Sequence, residues 1–244
     1  MIEFVKINGF PKKIYTEEYI LNGIRVMKRY LFPSLENQSC KQFIWILMLG
    51  NKANISYVKS LLDFNKSFDS KIIYKNSIKN YIRNITKDCD ILITTRIDYD
   101  DRIYYDAVND IRKAININKP ILLYGYNRGF LYTELKDEYY DLFTDFKNNG
   151  AMSVFISLII VLKKVKDIHI IYELGNHFLV RKNLIKSYKL FGIKEMNYEP
   201  AIFDSGEGKF VYVRQNYSGM YNVTKKNKKY LKVLNFNLTK FYGK

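Results

Sequence analysis

The sequence predicts an α/β fold built on a mostly parallel central sheet with helices on its faces. Three observations lead there. Short apolar runs alternate with segments of helical spacing through the first half, the joins between them are short, and the run Phe43 to Leu49 is apolar at every position instead of every second one. A strand apolar on both faces is one covered on both faces, the pattern of a central parallel strand. A chain of 244 residues has room for one such domain with a large core. Residues 1–244 are read as a single domain: a first half at 1–125, a looser second half at 126–224 and a basic tail at 225–244.

The elements follow in order. Phe4 to Ile7 reads as a short strand ending at Asn8-Gly9. Thr16 then caps a helix with Glu17 and Glu18 in its first turn and Lys28 and Arg29 in its last, both placements suiting the helix dipole. Ile20, Ile24, Met27 and Leu31 share its apolar face, and Pro33 should stop it before Ser34. After the Phe43–Leu49 strand come a helix through Ile55, Val58 and Leu62, a strand from Lys71 to Tyr74, and a helix through Ile78, Tyr81, Ile82 and Ile85. Asp90 to Thr95 is the next strand, Tyr104 to Ile115 a helix, and Pro120 to Tyr124 a strand. In the second half, strands are expected at Gly129 to Tyr132, Ile168 to Tyr172, Phe178 to Val180 and Lys209 to Arg214, with a helix from Ser153 to Lys164.

Forty Lys and Arg against 24 Asp and Glu leave a net charge of +16, which favours polyanionic partners such as nucleotides, nucleic acid or acidic headgroups. Two cysteines, Cys40 and Cys89, are too few for a disulfide framework and lack the spacing of a zinc site, so a reducing cytoplasm fits. The longest mostly apolar run, Ala151 to Leu162, is shorter than the roughly 20 residues of a membrane span, and a soluble or peripheral protein is expected. The tail carries Lys225, Lys226, Lys228, Lys229 and Lys232 interleaved with Tyr230, Leu231, Val233, Leu234 and Phe236. It reads as an amphipathic element with its apolar face on the domain, or else as a peripheral contact with an anionic membrane.

The stretch DILITTRIDYDDRIYYDAV carries the chemistry, because a buried strand runs into Asp98, Asp100 and Asp101 and then into a helix. Open α/β sheets bind ligands beyond the carboxyl ends of their strands. Three acids within four residues repel one another unless a divalent cation bridges them, and hard oxygens suit Mg²⁺ or Mn²⁺. A solvated turn with helix-capping acids is the bland alternative. A phosphatase of the haloacid-dehalogenase type fits poorly, since Thr94, Thr95 and Arg96 end the strand and Arg102 follows the acids. Neither a P-loop nor a Gly-rich dinucleotide fingerprint is present.

The run RYLFPSLENQSCKQFIWILML (Arg29 to Leu49), followed about fifty residues later by TTRIDYDDRIYYDAV (Thr94 to Val108), resembles rhamnosyltransferases of the GT-A glycosyltransferase superfamily. The resemblance covers Ile24 to Asp110, with echoes at Ala151 to Ile159 and Phe210 to Ser218. It implies a GT-A-like (Rossmann-like) fold with a nucleotide-sugar-binding half and an acceptor-binding half. It also implies a nucleotide-diphosphate sugar donor, a glycan acceptor, and Mn²⁺ or Mg²⁺ held by Asp98, Asp100 and Asp101. Arg96, Arg29 and Arg214 become donor-binding candidates beside Asp98, with Arg25 a weaker one. The family's late segment has a His where this chain reads Val213-Arg214-Gln215-Asn216.

A general base for the acceptor hydroxyl is sought among Glu173, Asp204 and Glu207. His169 and His177 are read as structural, and Tyr124, Tyr126, Phe130 and Tyr132 as either core or the wall of an acceptor groove. Two other classes stay open: a basic nucleic-acid-binding protein and a metal-dependent phosphoesterase.

Overall fold

The computed structural model describes residues 2–4, 17–50, 53–62, 67–126, 128–134, 137–143, 155–174, 201–203 and 209–214, with 233, 236, 237 and 241 of the tail. The main sheet contains β1 (Ile2–Phe4), β2 (Ile44–Leu49), β3 (Asp69–Tyr74), β4 (Ile91–Ile97), β6 (Ile121–Tyr126), β9 (Ile156–Val161) and β10 (Ala201–Phe203), in the order β10-β6-β9-β4-β1-β2-β3. The pairs β10/β6, β4/β1, β1/β2 and β2/β3 are parallel; β9 is antiparallel to both β4 and β6. The chain is therefore mixed α/β.

A second sheet is assembled from β5 (Arg102–Ile103), β7 (Arg128–Thr133), β8 (Glu138–Phe143) and β11 (Phe210–Arg214), ordered β5-β11-β7-β8. Only β11/β7 is parallel there.

Alternation along β2 explains the two faces of the main sheet. Trp45, Leu47 and Leu49 enter one core with side chains of α1 (Glu17–Val26), α2 (Phe32–Glu36), α3 (Ile55–Leu61) and α5 (Ala107–Lys113). Ile46 and Met48 enter another with Ile78 and Ile82 of α4 (Ile78–Ile85) and with Ile171 and Leu174. Each fully buried side chain of this size contributes about 1.5–3 kcal/mol. Asn54 caps α3 by accepting from the Tyr57 N–H.

Pro33 does not end the first helix. Met27–Leu31 widen into a π-helical turn in which the Phe32 N–H reaches the Met27 carbonyl, and α2 continues to Glu36. Proline has no N–H to donate to the carbonyl four residues back and its ring crowds that carbonyl; the wider turn relieves both conflicts.

The expected helix Ser153 to Lys164 is instead strand β9, every residue of which is buried between β4 and β6. Its Ser157 hydroxyl pairs with that of Thr95 at 2.8 Å. The expected strand Ile168 to Tyr172 becomes a 3₁₀ turn over Ile171–Leu174, tied to β4 by the Ile171 N–H donating to Thr94 Oγ1 at 2.9 Å. The expected strand at Phe178 to Val180 lies outside the described residues.

The second sheet has a tight point at Gly129. A Cβ there would lie 2.4 Å from Cε2 of Phe210, a ring with no exposed surface. Gly129→Ala should therefore destabilise the protein by about 1–3 kcal/mol through overpacking. Urea unfolding checks this, and an unchanged midpoint would show that the Phe210 ring can move aside.

Candidate functional site

Asp98 follows the last residue of β4, the strand lying beside β1 in the middle of the main sheet. The chain leaves β1 for β2 on one side, while β4 lies on the other, so this edge is the topological switch point of the parallel part of the sheet. Arg96 is buried near the end of β4, with Nε 3.5 Å from Asp98 Oδ1. Residues two apart on a strand share a face, which is why this pair forms. No hydrogen-bond donor reaches Asp98 Oδ1 among the described residues, although the atom is buried.

Asp101 has a different place. Its N–H closes the turn onto the Asp98 carbonyl at 3.2 Å, and its carboxylate, 1% exposed as a residue, accepts the Val213 N–H of β11 at 3.2 Å. The acid that sequence spacing groups with Asp98 and Asp100 thus joins the β4 turn to the second sheet. Among the described residues no group of three or more His, Cys, Asp or Glu is arranged to hold a metal ion. Asp98 Oδ1, a buried anionic oxygen that accepts no hydrogen bond from a described residue, is a fitting ligand for a hard cation.

Asp100 lies in an aromatic corner that spacing alone misses. Tyr19 of α1 hydrogen-bonds Tyr99, and burial followed by the Asp100 charge pushes the Tyr99 phenol well above its ordinary range. Tyr19 is raised by burial, against the lowering effect of its bond to Tyr99. Both phenols stay protonated beside the acid, and with one hydroxyl hydrogen used in the bond between them the pair keeps one donor there.

Arg102, next to Asp101, is also buried. Its guanidinium lies 4.9 Å from the centre of the Tyr30 ring and 5.8 Å from that of Tyr132, and Nη1 donates to the Tyr139 hydroxyl at 3.1 Å. Arg29, expected at the donor, donates to Glu134 Oε1 at 2.6 Å, and the Tyr30 hydroxyl donates to the same oxygen at 2.7 Å. Its described partner is thus the turn after β7. Arg25 is exposed on α1. Arg214 ends β11, and its side chain lies outside the described residues.

Three of the four aromatic residues expected at a groove, Tyr124, Tyr126 and Tyr132, are core, and Phe130 is half-buried. Tyr124 and Tyr126 are 1% and 0% exposed, with Tyr126 stacked on Phe155 at 5.3 Å and donating to Asp110 Oδ2 at 3.2 Å. Burial first, then Tyr124 and Asp110, push the Tyr126 phenol well above its ordinary value. Lys209 Nζ approaches the same Asp110 oxygen at 3.8 Å and lies 3.5 Å from the Tyr104 ring centre, so α5, β6 and the start of β11 meet at one buried acid. Phe130 and Tyr139 hold Phe236 of the tail, the latter stacked at 3.8 Å, and Phe241 is fully buried beside them. These tail residues pack on the second sheet; the tail lysines lie outside the described residues.

Of the candidate bases, Asp204, Glu207 and also His177 lie outside the described residues. Glu173 is engaged: Oε2 accepts from Ile170 N at 3.1 Å and meets His169 Nδ1 at 3.0 Å, and Oε1 is 3.7 Å from Lys79 Nζ. The neighbouring Asp167 has its carboxyl raised by burial but lowered further by hydrogen bonds from Arg83, Lys79 and Ile168 N, to about 2 from an ordinary 3.8. A folded-state value below the unfolded one stabilises above pH 4 and loses that contribution as pH falls through 2. Asp167→Asn should therefore flatten the acid limb of the stability profile between pH 4 and pH 2, measured by thermal unfolding across that range; an unchanged limb would rule Asp167 out as its source.

No helix among the described residues is long and apolar enough to cross a membrane. No family model and no curated protein matches the chain. Among solved structures, HddC from Yersinia pseudotuberculosis is 16% identical over 87% of this chain and 88% of that one, with a TM-score of 0.35. The inositol-1-phosphate CTP transferase from T. maritima is 12% identical over 87% and 83%, with a TM-score of 0.33. At these scores the likenesses assign no residue of this chain a role, and the GT-A resemblance of Arg29–Leu49 and Thr94–Val108 rests on the residues themselves.

Proposed function

We propose that the chain is a transferase acting on a nucleotide-diphosphate sugar, a glycosyltransferase of the GT-A type that moves a hexose such as rhamnose to a glycan acceptor. One observation carries this reading: Asp98, in the Thr-Arg-Ile-Asp-Tyr-Asp run that resembles the family, stands at the switch-point edge of the sheet, where α/β folds bind nucleotides.

In this reading the donor diphosphate lies against Arg96 and Asp98. Asp98 and Asp100 would hold Mn²⁺ or Mg²⁺, which would supply positive charge to offset the negative charge of the departing nucleotide diphosphate. Arg96 backs the Asp98 carboxylate from within the sheet and adds a fixed cation at the phosphate edge. Tyr19 and Tyr99, bonded to each other, form the wall beside Asp100 and offer one neutral hydroxyl donor to the ligand. Arg29, paired with Glu134, holds the helix to the second sheet and leaves donor contact to Arg96 and Arg214.

The base that takes the acceptor proton is assigned to Asp204, with Glu207 as the second choice. Strand β10 runs in the same direction as β4, so the chain leaves Phe203 at the edge where Asp98 stands, and Asp204 is the next residue. Glu173 keeps its own turn closed and is a poorer base.

A thermal-shift panel of UDP, GDP, dTDP and CDP, each with and without Mn²⁺, tests the proposal. A cognate nucleotide at a hundred times its Kd stabilises by about 2.7 kcal/mol, and the shift should require the metal. If no nucleotide shifts the protein while single-stranded DNA binds with a steep salt dependence, the nucleic-acid reading replaces this one. Phosphate release from sugar nucleotides without an acceptor would select the phosphoesterase reading instead.

A further inference from the structure

Asp110 of α5 is an acid in the interior, 7% exposed as a residue. The Tyr126 hydroxyl donates to its Oδ2 at 3.2 Å, Lys209 Nζ stands 3.8 Å from the same oxygen, and Lys113 Nζ lies 3.9 Å from Oδ1. Lys113 is exposed and its attraction is weakened by water, so Lys209, nearly as buried as Asp110, is the internal counter-charge. The Tyr104 ring holds the Lys209 ammonium from a second side, with its centre 3.5 Å away. The Lys209 backbone is fixed too: its N–H donates to the Arg128 carbonyl at 3.1 Å, and its carbonyl accepts from the Tyr104 N–H at 3.0 Å.

A buried carboxylate and ammonium often add little stability over apolar side chains of the same volume. They do fix a geometry, because each charge is compensated in one place only. The two groups joined at Asp110 Oδ2 stand at the two ends of one short segment. Tyr126 is the last residue of β6 and pairs with Phe203, the last residue of β10. Lys209 directly precedes β11. Between Phe203 and Lys209 the sequence holds Asp204-Ser205-Gly206-Glu207-Gly208, which includes both the acid assigned as general base and its second choice. Glycine restricts its own backbone least of all residues, so a segment with two of them depends on where its ends are held.

We infer that Asp110 is a positioning residue for the general base: by gathering Tyr126 and Lys209 on one carboxylate oxygen, it sets the separation of the end of β10 from the start of β11, and with it the place of the acid between them. The inference rests on the transferase reading, in which that acid takes the acceptor proton. A displacement of about 1 Å costs on the order of a hundredfold in rate. The donor edge at Arg96 and Asp98 is built at the end of β4 and stays as it is.

Two measurements on Asp110→Asn in the full chain test this. In hydrogen–deuterium exchange, peptides covering residues 204–208 should exchange about tenfold faster than in the wild type, while those covering β2 stay unchanged. In nucleoside diphosphate release from the sugar nucleotide identified by thermal shift, with water as acceptor, kcat should fall about tenfold to a hundredfold and KM should stay within about twofold. Lys209→Met breaks the same tie, so Asp110→Asn/Lys209→Met should lose no more than either single variant. The double variant also removes the ammonium that Asp110→Asn leaves unpaired, and it replaces the single one should that fail to fold. Unchanged exchange at 204–208, or kcat within about threefold of the wild type, would overturn the inference. So would the same two changes in Asp167→Asn, since general destabilisation would then be their cause. The transferase reading fails separately, in the wild type, if no sugar nucleotide is turned over, and the exchange arm alone then decides whether Asp110 holds the segment.

Discussion

Asp98→Asn should lower kcat/KM for the sugar-nucleotide donor by about a hundredfold or more while leaving the fold intact. The substitution keeps volume and shape and removes one negative charge at the end of β4. A metal positioned on a departing diphosphate contributes several kcal/mol, and a hundredfold loss corresponds to about 2.7 kcal/mol. No described donor bonds Asp98 Oδ1, so the asparagine breaks no hydrogen bond to the described residues. It does remove the charge facing buried Arg96, 3.5 Å away, so the unfolding free energy should fall by about 1–3 kcal/mol and leave the protein folded. Steady-state assays with the donor identified by thermal shift, run beside Asp100→Asn, make the comparison. Turnover within threefold of wild type for Asp98→Asn would remove the acid from the site and with it the metal-binding role.

Most of the first half is legible because its signals are redundant. Ile44–Leu49 is apolar on both faces, the helices that follow carry three or four apolar residues at helical spacing, and their observed bounds agree within a few residues. The second half gives conflicting signals. Ser153 to Lys164 is an apolar run without a period, and such a run reads equally as a buried helix or a buried strand. Its β-branched content, at Ile156, Ile159, Ile160 and Val161, is the signal that favours β9. Strand β8 goes unrecognised because its tyrosines and acids alternate weakly, yet Asp137, at φ 51° in the turn before it, is a residue type that tolerates that conformation.

Spacing along a strand shows which acids are close in sequence and says nothing about which way each carboxylate turns. Asp98 and Asp101 differ because strand β11, more than a hundred residues later, presents a backbone N–H to one of them. The same long-range dependence hides the Asp110–Lys209–Tyr126 cluster, whose members come from three elements. The Arg29–Glu134 pair is hidden in the same way. Tyr99 was open to recognition as the middle residue of the acidic motif, but its partner Tyr19 lies eighty positions earlier on α1.

Asp101 carries the second large expected effect, on stability. Asp101→Ala leaves the buried Val213 N–H without its acceptor and a void where β5 and β11 meet, and should cost about 2–4 kcal/mol. Asp101→Asn retains an oxygen acceptor for Val213 and should cost about 1 kcal/mol. The pair of variants separates a positioning role from metal ligation. A carboxylate that ligated the metal would lose metal-dependent nucleotide binding in both variants, since an amide oxygen brings no charge to a divalent ion. A carboxylate that positions β11 predicts that the asparagine variant keeps both the fold and the metal-dependent shift, while the alanine variant loses stability first and binding with it. Unfolding midpoints and nucleotide titrations with Mn²⁺ on the two variants decide between these. Loss of the metal-dependent shift in a stably folded Asp101→Asn would return Asp101 to the metal site beside Asp98 and Asp100.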